Sequence, residues 1–392
     1  MDTRNLRDDR RETAGATPRQ KGAGSVAGDR LRRRFASRRF LILLGVYAVV
    51  LLVLTVVSAV VAWALSALSG GGDTGPLIYS SVVFWVLLLA IVAGPAVQGR
   101  ALNVSALVGR SAEHSSSDEA TASSPAARVF GALLAEWVTS LVFVGIAVPV
   151  LLVAAVAGGV AAHVVIGSLG ILIAEVLVLG AIAVGVSGLV ARPGRSVAVA
   201  YAVVAGLTIG TILVFAFVGN LARHEVVTEN RGVSWSSTEL VADCDEAFAE
   251  GASDCVEDAD GEGVTTCEAW QRTTSERARL DLAWWVLAAN PFVLVADATP
   301  LTWQGSMQSP ADLFGMVTSG VRQAQVAGET TEILDACTID GQHEATTVPA
   351  LVDRTAASWY LGLLAQAVLA AGLLIGATSR EQRRTAMPER TS

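Results

Sequence analysis

Long apolar segments alternate with polar segments along this chain. Six of them match or exceed the roughly 20 residues that a helix needs to cross a bilayer core of about 30 Å. They cover residues 40–68, 77–97, 129–160, 161–191, 197–222 and 359–378. The pattern predicts an all-α polytopic membrane protein with six transmembrane helices.

Glycine and proline mark the expected breaks in these helices. Gly94-Pro95 is predicted to bend or stop the second helix, because proline lacks a backbone donor. Gly158-Gly159 leaves room only for a tight turn, so the third and fourth spans should form a hairpin. The pairs Gly206/Gly210 and Gly372/Gly376 have the spacing that lets helix backbones approach closely, within one chain or between subunits.

A seventh apolar segment, residues 280–298, is interrupted by Asn290-Pro291 and flanked by Asp281 and Asp297. We interpret it as a helix pair that is either interfacial or re-entrant, with Trp284 and Trp285 at the level of the lipid headgroups.

Charged residues predict the orientation of the spans, because Lys and Arg near span ends favour the cytoplasmic side. With both termini inside, the cytoplasmic segments carry 21 of the 28 basic residues. The connection between the fifth and sixth spans holds 23 of the 36 acids. The expected organisation is therefore a disordered cytoplasmic tail (1–30), a membrane domain with helices one to five (31–222), an extracytoplasmic acidic domain (223–356), the sixth helix (357–378) and a cytoplasmic tail (379–392). From Leu31, a short basic helix should lie on the inner leaflet before the first span.

Cysteine usage agrees with this orientation. Cys244, Cys255, Cys267 and Cys337 are the four cysteines of the chain, and all fall in the acidic connection. Disulfides persist in oxidising compartments, so two disulfides are predicted, with three connectivities open. A metal site is the alternative, although the close spacing typical of zinc ligands is missing.

The sequence lacks the motifs for nucleotide and calcium binding that are known from soluble proteins. The sequence has no phosphate-binding G-x-x-x-x-G-K-[ST] loop, and its single lysine, Lys21, lies in the N-terminal tail. The acidic run around Gly261 places Val256 and Cys267 where a calcium loop requires carboxylates. No cofactor and no metal are predicted on this chain, and the net charge of −8 gives no indication of nucleic-acid binding.

Two carboxylates lie within predicted spans. Glu175 falls near the middle of the fourth span, and Glu136 lies a few residues into the third. Ionisable residues are costly in hydrocarbon and usually face protein or water. Both are candidates for a translocation path, and a packing role is the alternative for each.

The chain resembles the membrane subunit of ABC-2 type exporters, particularly actinobacterial permeases with a large loop before the last span. The resemblance covers most of the chain after Leu31. It rests on the basic helix before the first span, the Gly94-Pro95 end of the second, and the segments ARVFGALLAEWVTSLVF, AVGVSGLVARPGRSVAVAYAVV and WWVLAANPFVLVADATP. The acidic-basic, Gly-rich signature that often follows the second span in this family is not evident in QGRALNVSALVGRS.

The resemblance implies a multi-pass protein of the bacterial plasma membrane and a permease, not an enzyme. A separate ABC ATPase subunit would bind its cytoplasmic face, and a second permease subunit would complete a homo- or heterodimer. Coupling to the ATPase is expected through residues 99–110, where a short helix would present Arg100, Leu102, Val104, Leu107, Val108 and Arg110. The alternatives are an envelope sensor with a disulfide-linked outer domain and a secondary transporter that uses Glu175 for ion coupling.

Overall fold

The computed structural model describes residues 22–68, 73–112, 124–190, 192–235, 255–257, 264–267, 269–304, 309–328, 330–335 and 348–386. This part of the chain is mostly helical and contains six helices long and apolar enough to cross a membrane. They are Arg38–Leu68, Gly75–Gly94, Pro125–Ala157, Ala162–Leu189, Gly194–Leu221 and Trp359–Arg384. The prediction of six helices with the length and apolar composition of membrane spans is confirmed. These helices indicate a membrane-embedded protein.

The first five helices are α1 (Ala23–Phe35), α2 (Arg38–Leu68), α3 (Gly75–Ala112), α4 (Pro125–Ala157) and α5 (Ala162–Leu189). Helix α4 begins with Pro125 after an N-cap in which the Ser124 hydroxyl accepts a hydrogen bond from the Ala127 backbone N–H. This is a favourable start, because proline at the first helical position has no unsatisfied N–H. The predicted hairpin between α4 and α5 is present and turns at Gly159, whose φ of 62° suits glycine.

The second helix does not stop at Gly94-Pro95, although the candidate span ends at Gly94. Helix α3 continues through Pro95 to Ala112, so of the two predicted outcomes, a bend or a stop, the stop does not occur. A proline inside a membrane helix removes one backbone hydrogen bond without ending the helix when neighbouring structure supports it. Pro149 lies inside α4 in the same way.

The fifth candidate span consists of three pieces. Helix α6 (Pro193–Ala205) is followed by a π-helical turn (Gly206–Gly210) and then by α7 (Thr211–Leu221). The first predicted glycine pair therefore forms the π turn itself. A β-carbon added at Gly206 would meet no atom of the described residues within 4 Å, so this glycine makes no close helix contact with that part of the chain.

After α7 the chain forms strands and short helices. The strands are β1 (Arg223–Arg231), β2 (Val233–Trp235), β3 (Cys255–Glu257), β4 (Val264–Cys267), β5 (Gln271–Ala278), β6 (Trp303–Gln304), β7 (Ser309–Pro310) and β8 (Thr331–Asp335). The longest sheet has the order β5-β1-β8, in which β1 is antiparallel to β5 and parallel to β8. Arg277 on β5 and Glu332 on β8 form a bidentate ion pair across this sheet, with one contact of 2.8 Å.

The helices of this region are a 3₁₀ turn (Leu280–Leu282), α8 (Trp284–Ala288), α9 (Pro291–Ala298), α10 (Leu313–Gln323) and α11 (Val348–Arg354); the last span is α12 (Trp359–Ala386). Segment 280–298 is thus a pair of short helices broken at Asn290-Pro291, as the sequence predicts. The Trp285 side chain is 62% exposed, and its indole N–H donates to the Leu282 carbonyl.

The four cysteines are only partly described. Cys244 and Cys337 lie outside the described residues. Cys255 begins β3 and pairs in register with Thr266, whereas Cys267 ends β4 and pairs with Val233. These two cysteines are not register partners, and their side chains lie outside the described part of the structure. The two predicted disulfides stay a prediction.

The chain divides into two compact units. The first unit comprises residues 1–207, 298–300 and 361–392, and the second comprises residues 208–297 and 301–360. The division falls inside the π turn, so α7 belongs to the second unit together with the sheets and short helices.

Candidate functional site

Helix α1 begins at Ala23, eight residues before the predicted start at Leu31. Val26 of α1 packs so closely against Gly131 of α4 that a β-carbon there would lie 2.8 Å from the Val26 β-carbon. Ala27 is buried, and Arg34 follows on the same helical face. The spacing of seven residues between Ala27 and Arg34 was visible in the sequence, but the many charges of the segment obscured it.

Glu136 is the partner of Arg34. The Arg34 guanidinium donates to the Glu136 carboxylate at 3.1 Å and to the Thr139 hydroxyl at 2.7 Å. Thr139 in turn donates to the Ala135 carbonyl. Glu136 is only 4% exposed, so its charge is compensated by an arginine from a helix that lies outside the candidate spans.

Other basic residues surround this ion pair. Burial lowers the pKa of Arg30, and the nearby positive charges of Arg34 and Arg128 lower it further. Arg128, near the start of α4, lies 3.4 Å from Glu381 of α12. Arg32, Arg33, Arg38 and Arg39 are exposed. The end of the first unit that contains α1 is therefore strongly basic at its surface.

Beside Glu136, the first unit contains a partly open pocket between its helices. Its walls come from five of the six candidate spans, and most of the side chains are aliphatic. Tyr47 and Phe143 meet edge to face in the wall at a centroid distance of 5.0 Å. Glu136 and Ser140 add polar atoms. A mainly apolar pocket with a few polar groups has the composition of a small-molecule site.

The second predicted path residue, Glu175, does not line this cavity. It is fully buried on α5, and neither carboxylate oxygen has a described partner in hydrogen-bond geometry. The polar side chain beside it is Gln366 of α12. The structure therefore separates the two carboxylates that the sequence predicted to share a path.

Helix α5, which contains Glu175, packs tightly against α12 at residues that follow Glu175 in the chain. Added β-carbons at Gly185 and Gly188 would lie 2.6 Å from the Leu373 β-carbon and 2.5 Å from the Ala377 β-carbon. Gly376 packs on Leu189, whereas Gly372 faces open space. The close contact thus uses one glycine of the predicted pair and two glycines of α5 that the sequence did not single out.

The predicted coupling residues lie on the extension of α3. Arg100, Leu102, Val104, Leu107, Val108 and Arg110 all belong to helical backbone, and the side chains of residues 95–112 are outside the described part of the structure. The predicted helical conformation is confirmed, and the coupling role stays a prediction.

In the second unit, Asn290 fixes the helix pair of segment 280–298 to the fifth span. Its side-chain amide donates to the Thr208 carbonyl at 2.7 Å and to the Thr211 hydroxyl at 3.0 Å. At the start of the segment, Leu280 packs on Gly219. Gly219 and Thr208 are about 16 Å apart along a helix axis. Thr208 lies halfway along the candidate span Gly194–Leu221. The pair therefore lies alongside the second half of this helix and reaches its midpoint at Asn290.

Asp297, at the far end of the same segment, is the centre of a hydrogen-bond network that sequence reasoning missed. One oxygen accepts from Arg322 at 2.8 Å, and the other accepts from the Ser358 hydroxyl at 2.8 Å and the Trp359 backbone N–H at 3.1 Å. Arg322 also donates to the Thr355 carbonyl. Since Trp359 begins α12, Asp297 supplies a cap for the last span from 62 residues away.

Two other carboxyl groups of the second unit have shifted pKa values. Hydrogen bonds from Arg279 lower the pKa of the Asp281 carboxyl. Burial raises the pKa of Asp312, whose carboxylate caps α10 by accepting from the Gly315 N–H at 2.7 Å. Within the described ranges, no group of three His, Cys, Asp or Glu side chains is arranged to hold a metal ion.

No protein-family model, curated protein or solved structure matches this chain.

Proposed function

We propose that the chain is the membrane-spanning permease subunit of an ATP-binding-cassette exporter, working with a separate ATPase subunit. The observation that supports this best is the Arg34–Glu136 ion pair. It fixes a basic helix outside the spans to a side chain in the wall of a membrane cavity. A partner that displaces α1 would move this wall directly. Such a connection is what a permease needs if ATP hydrolysis on another subunit is to change access to its path.

The contact between Val26 and Gly131 makes this connection stiff. Two packed helices joined by a close backbone approach and a buried ion pair move as one body. The exposed Arg32 and Arg33 are available to a partner or to anionic headgroups while Arg34 faces inward. A second contact with the ATPase is proposed on the α3 extension, through Leu107 and Val108.

The proposal includes the membrane arrangement. Both termini are cytoplasmic in a bacterial plasma membrane, the acidic region with two disulfides is extracytoplasmic, and a second permease subunit, identical or homologous, completes the path. It is supported by the distribution of basic residues and cysteines along the chain.

Co-expression with candidate P-loop ATPase subunits, followed by reconstitution into lipid vesicles, tests the function. We expect the ATPase to co-purify and its ATP hydrolysis to respond to candidate cargo. Arg34→Gln should reduce cargo-stimulated hydrolysis at least fivefold, while Arg33→Gln, an exposed control on the same helix, should change it less than twofold. Failure of any ATPase to co-purify would contradict the proposal.

The α3 contact has its own test. Leu107→Asp with Val108→Asp should abolish co-purification or uncouple hydrolysis from transport, because two charges would be added to an apolar contact. Asn103→Asp controls for added charge on the same helix. Normal binding and coupling in the double variant would place the contact on α1.

A secondary transporter is the second candidate, and the buried carboxylate of Glu175 favours it. It predicts transport driven by an ion gradient in vesicles without ATP. Flux in such vesicles that is lost in Glu175→Gln would support this candidate over the exporter.

A further inference from the structure

The cavity beside Glu136 has a composition that selects one chemical class of ligand. Its wall is formed mainly by aliphatic side chains and small residues, among them Val86, Leu89, Val144, Val176 and Leu179. The Tyr47 and Phe143 rings provide the largest flat surfaces. A ligand surrounded by these groups gains free energy from apolar surface removed from water, about 25 cal/mol per Å².

The polar atoms of the wall are few, and the charge among them is compensated. Glu136 is held by Arg34 at 3.1 Å, so a cationic ligand would have to compete with a guanidinium that is itself mostly buried. Ser140 and Tyr47 have hydroxyl groups that can exchange one or two hydrogen bonds. A sugar chain or a polyanion would leave most of its polar groups without partners, at a cost of about 1–3 kcal/mol for each.

We infer that this pocket binds the apolar part of a neutral molecule, with an aromatic ring or alkyl chain against Tyr47 and Phe143. Because the pocket is partly open, the rest of such a molecule can extend beyond it. The inference rests on the proposed function, in which this ligand is the class of cargo exported. Two sources supply such chemistry, the acyl chain of a membrane lipid and a free lipophilic compound.

Gly180 gives a direct way to fill the cavity. It lies in the wall, and an added β-carbon would make ordinary contacts, the nearest 3.6 Å from the Glu136 Cγ atom. Gly180→Leu should therefore occupy the cavity, and Gly180→Ala should narrow it without displacing the wall. Gly170, on the same helix, has no atom within 4 Å of an added β-carbon, so Gly170→Leu is a matched control outside the cavity.

Binding is measured on the full chain in detergent, without ATPase or ATP, by native mass spectrometry and fluorescence titration with N-phenyl-1-naphthylamine. We expect one probe molecule to bind per chain, with saturation, and we expect no binding of maltotriose. Affinity should fall at least tenfold in Gly180→Leu, by an intermediate factor in Gly180→Ala, and less than twofold in Gly170→Leu. A retained phospholipid that the probe displaces identifies membrane lipid as the natural source, whereas binding without lipid displacement identifies a free compound.

Equal probe affinity in Gly180→Leu and Gly170→Leu, with unchanged melting temperatures, would overturn the inference, as would preferential binding of maltotriose. The binding assay contains no ATPase, so it is independent of the co-purification experiment. If the unmodified chain does not bind the probe but the ATPase still co-purifies, only the proposed ligand class is rejected. Normal probe binding without any ATPase partner rejects the exporter alone.

Discussion

Asp297 of the second unit and Glu175 of the first unit are both buried carboxylates, but their surroundings differ. Both oxygens of Asp297 accept hydrogen bonds, and a guanidinium balances the charge. Neither oxygen of Glu175 has a described partner in hydrogen-bond geometry. A fully bonded carboxylate fixes one arrangement of its neighbours, whereas one without such bonds leaves its neighbours free to rearrange. We therefore assign Asp297 to folding and keep Glu175 as a candidate for function.

Removal of the Asp297 carboxylate should have the largest effect on stability. Asp297→Ala leaves Arg322 buried without its counter-charge and removes the cap of α12. A loss of about 3–5 kcal/mol in the free energy of unfolding is expected. Denaturant titration of the detergent-solubilised chain measures it, with the exposed Asp353→Ala as control. A loss below about 1 kcal/mol would contradict the structural role.

Arg34→Ala should come next, because it removes the guanidinium that pairs with the buried Glu136 carboxylate. We expect a loss of about 2–3 kcal/mol, since the Arg34 side chain is 15% exposed and water can partly replace it. The double variant Arg34→Leu, Glu136→Leu should recover most of the loss, because no buried charge remains. If both forms were equally unstable, packing of α1 rather than the ion pair would be responsible.

Asn290→Ala should cost about 1–2 kcal/mol, because it removes two hydrogen bonds and leaves the Thr208 carbonyl of the π turn without its side-chain donor. Asn220→Ala is the matched control, since its amide hydrogen bond to Ala216 is exposed. Equal stability of the two variants would indicate that the helix pair of segment 280–298 is held by apolar packing alone.

Glu175→Gln should have the smallest effect on stability, within about 1 kcal/mol, because it keeps the size of the side chain and removes a costly charge. If Glu175 acts in transport, transport per folded molecule should nevertheless fall. The isosteric change Asp297→Asn should show the opposite balance, with lower stability and little change in transport per folded molecule. Unchanged transport in Glu175→Gln at equal membrane abundance would leave a packing role only.

Several local features were readable from the sequence because they depend on neighbouring residues. The hairpin at Gly158-Gly159 and the break at Asn290-Pro291 follow from glycine and proline chemistry. At Gly94-Pro95 the same reasoning predicted a bend or a stop, and helix α3 continues there without a stop. Local chemistry indicates where a helix is weak, but the surrounding structure decides whether it ends there.

The sequence by itself determined the six apolar helices, because spanning length and hydropathy are properties of single segments. It also identified Glu136 and Glu175, because a carboxylate stands out in an apolar segment. Only the tertiary structure decided that Arg34 compensates Glu136, that Glu175 lies beside Gln366, and that Asp297 caps the last span. These partners are 102, 191 and 62 residues apart in sequence. No local pattern records such pairings, because they arise from the packing of segments that are far apart in sequence.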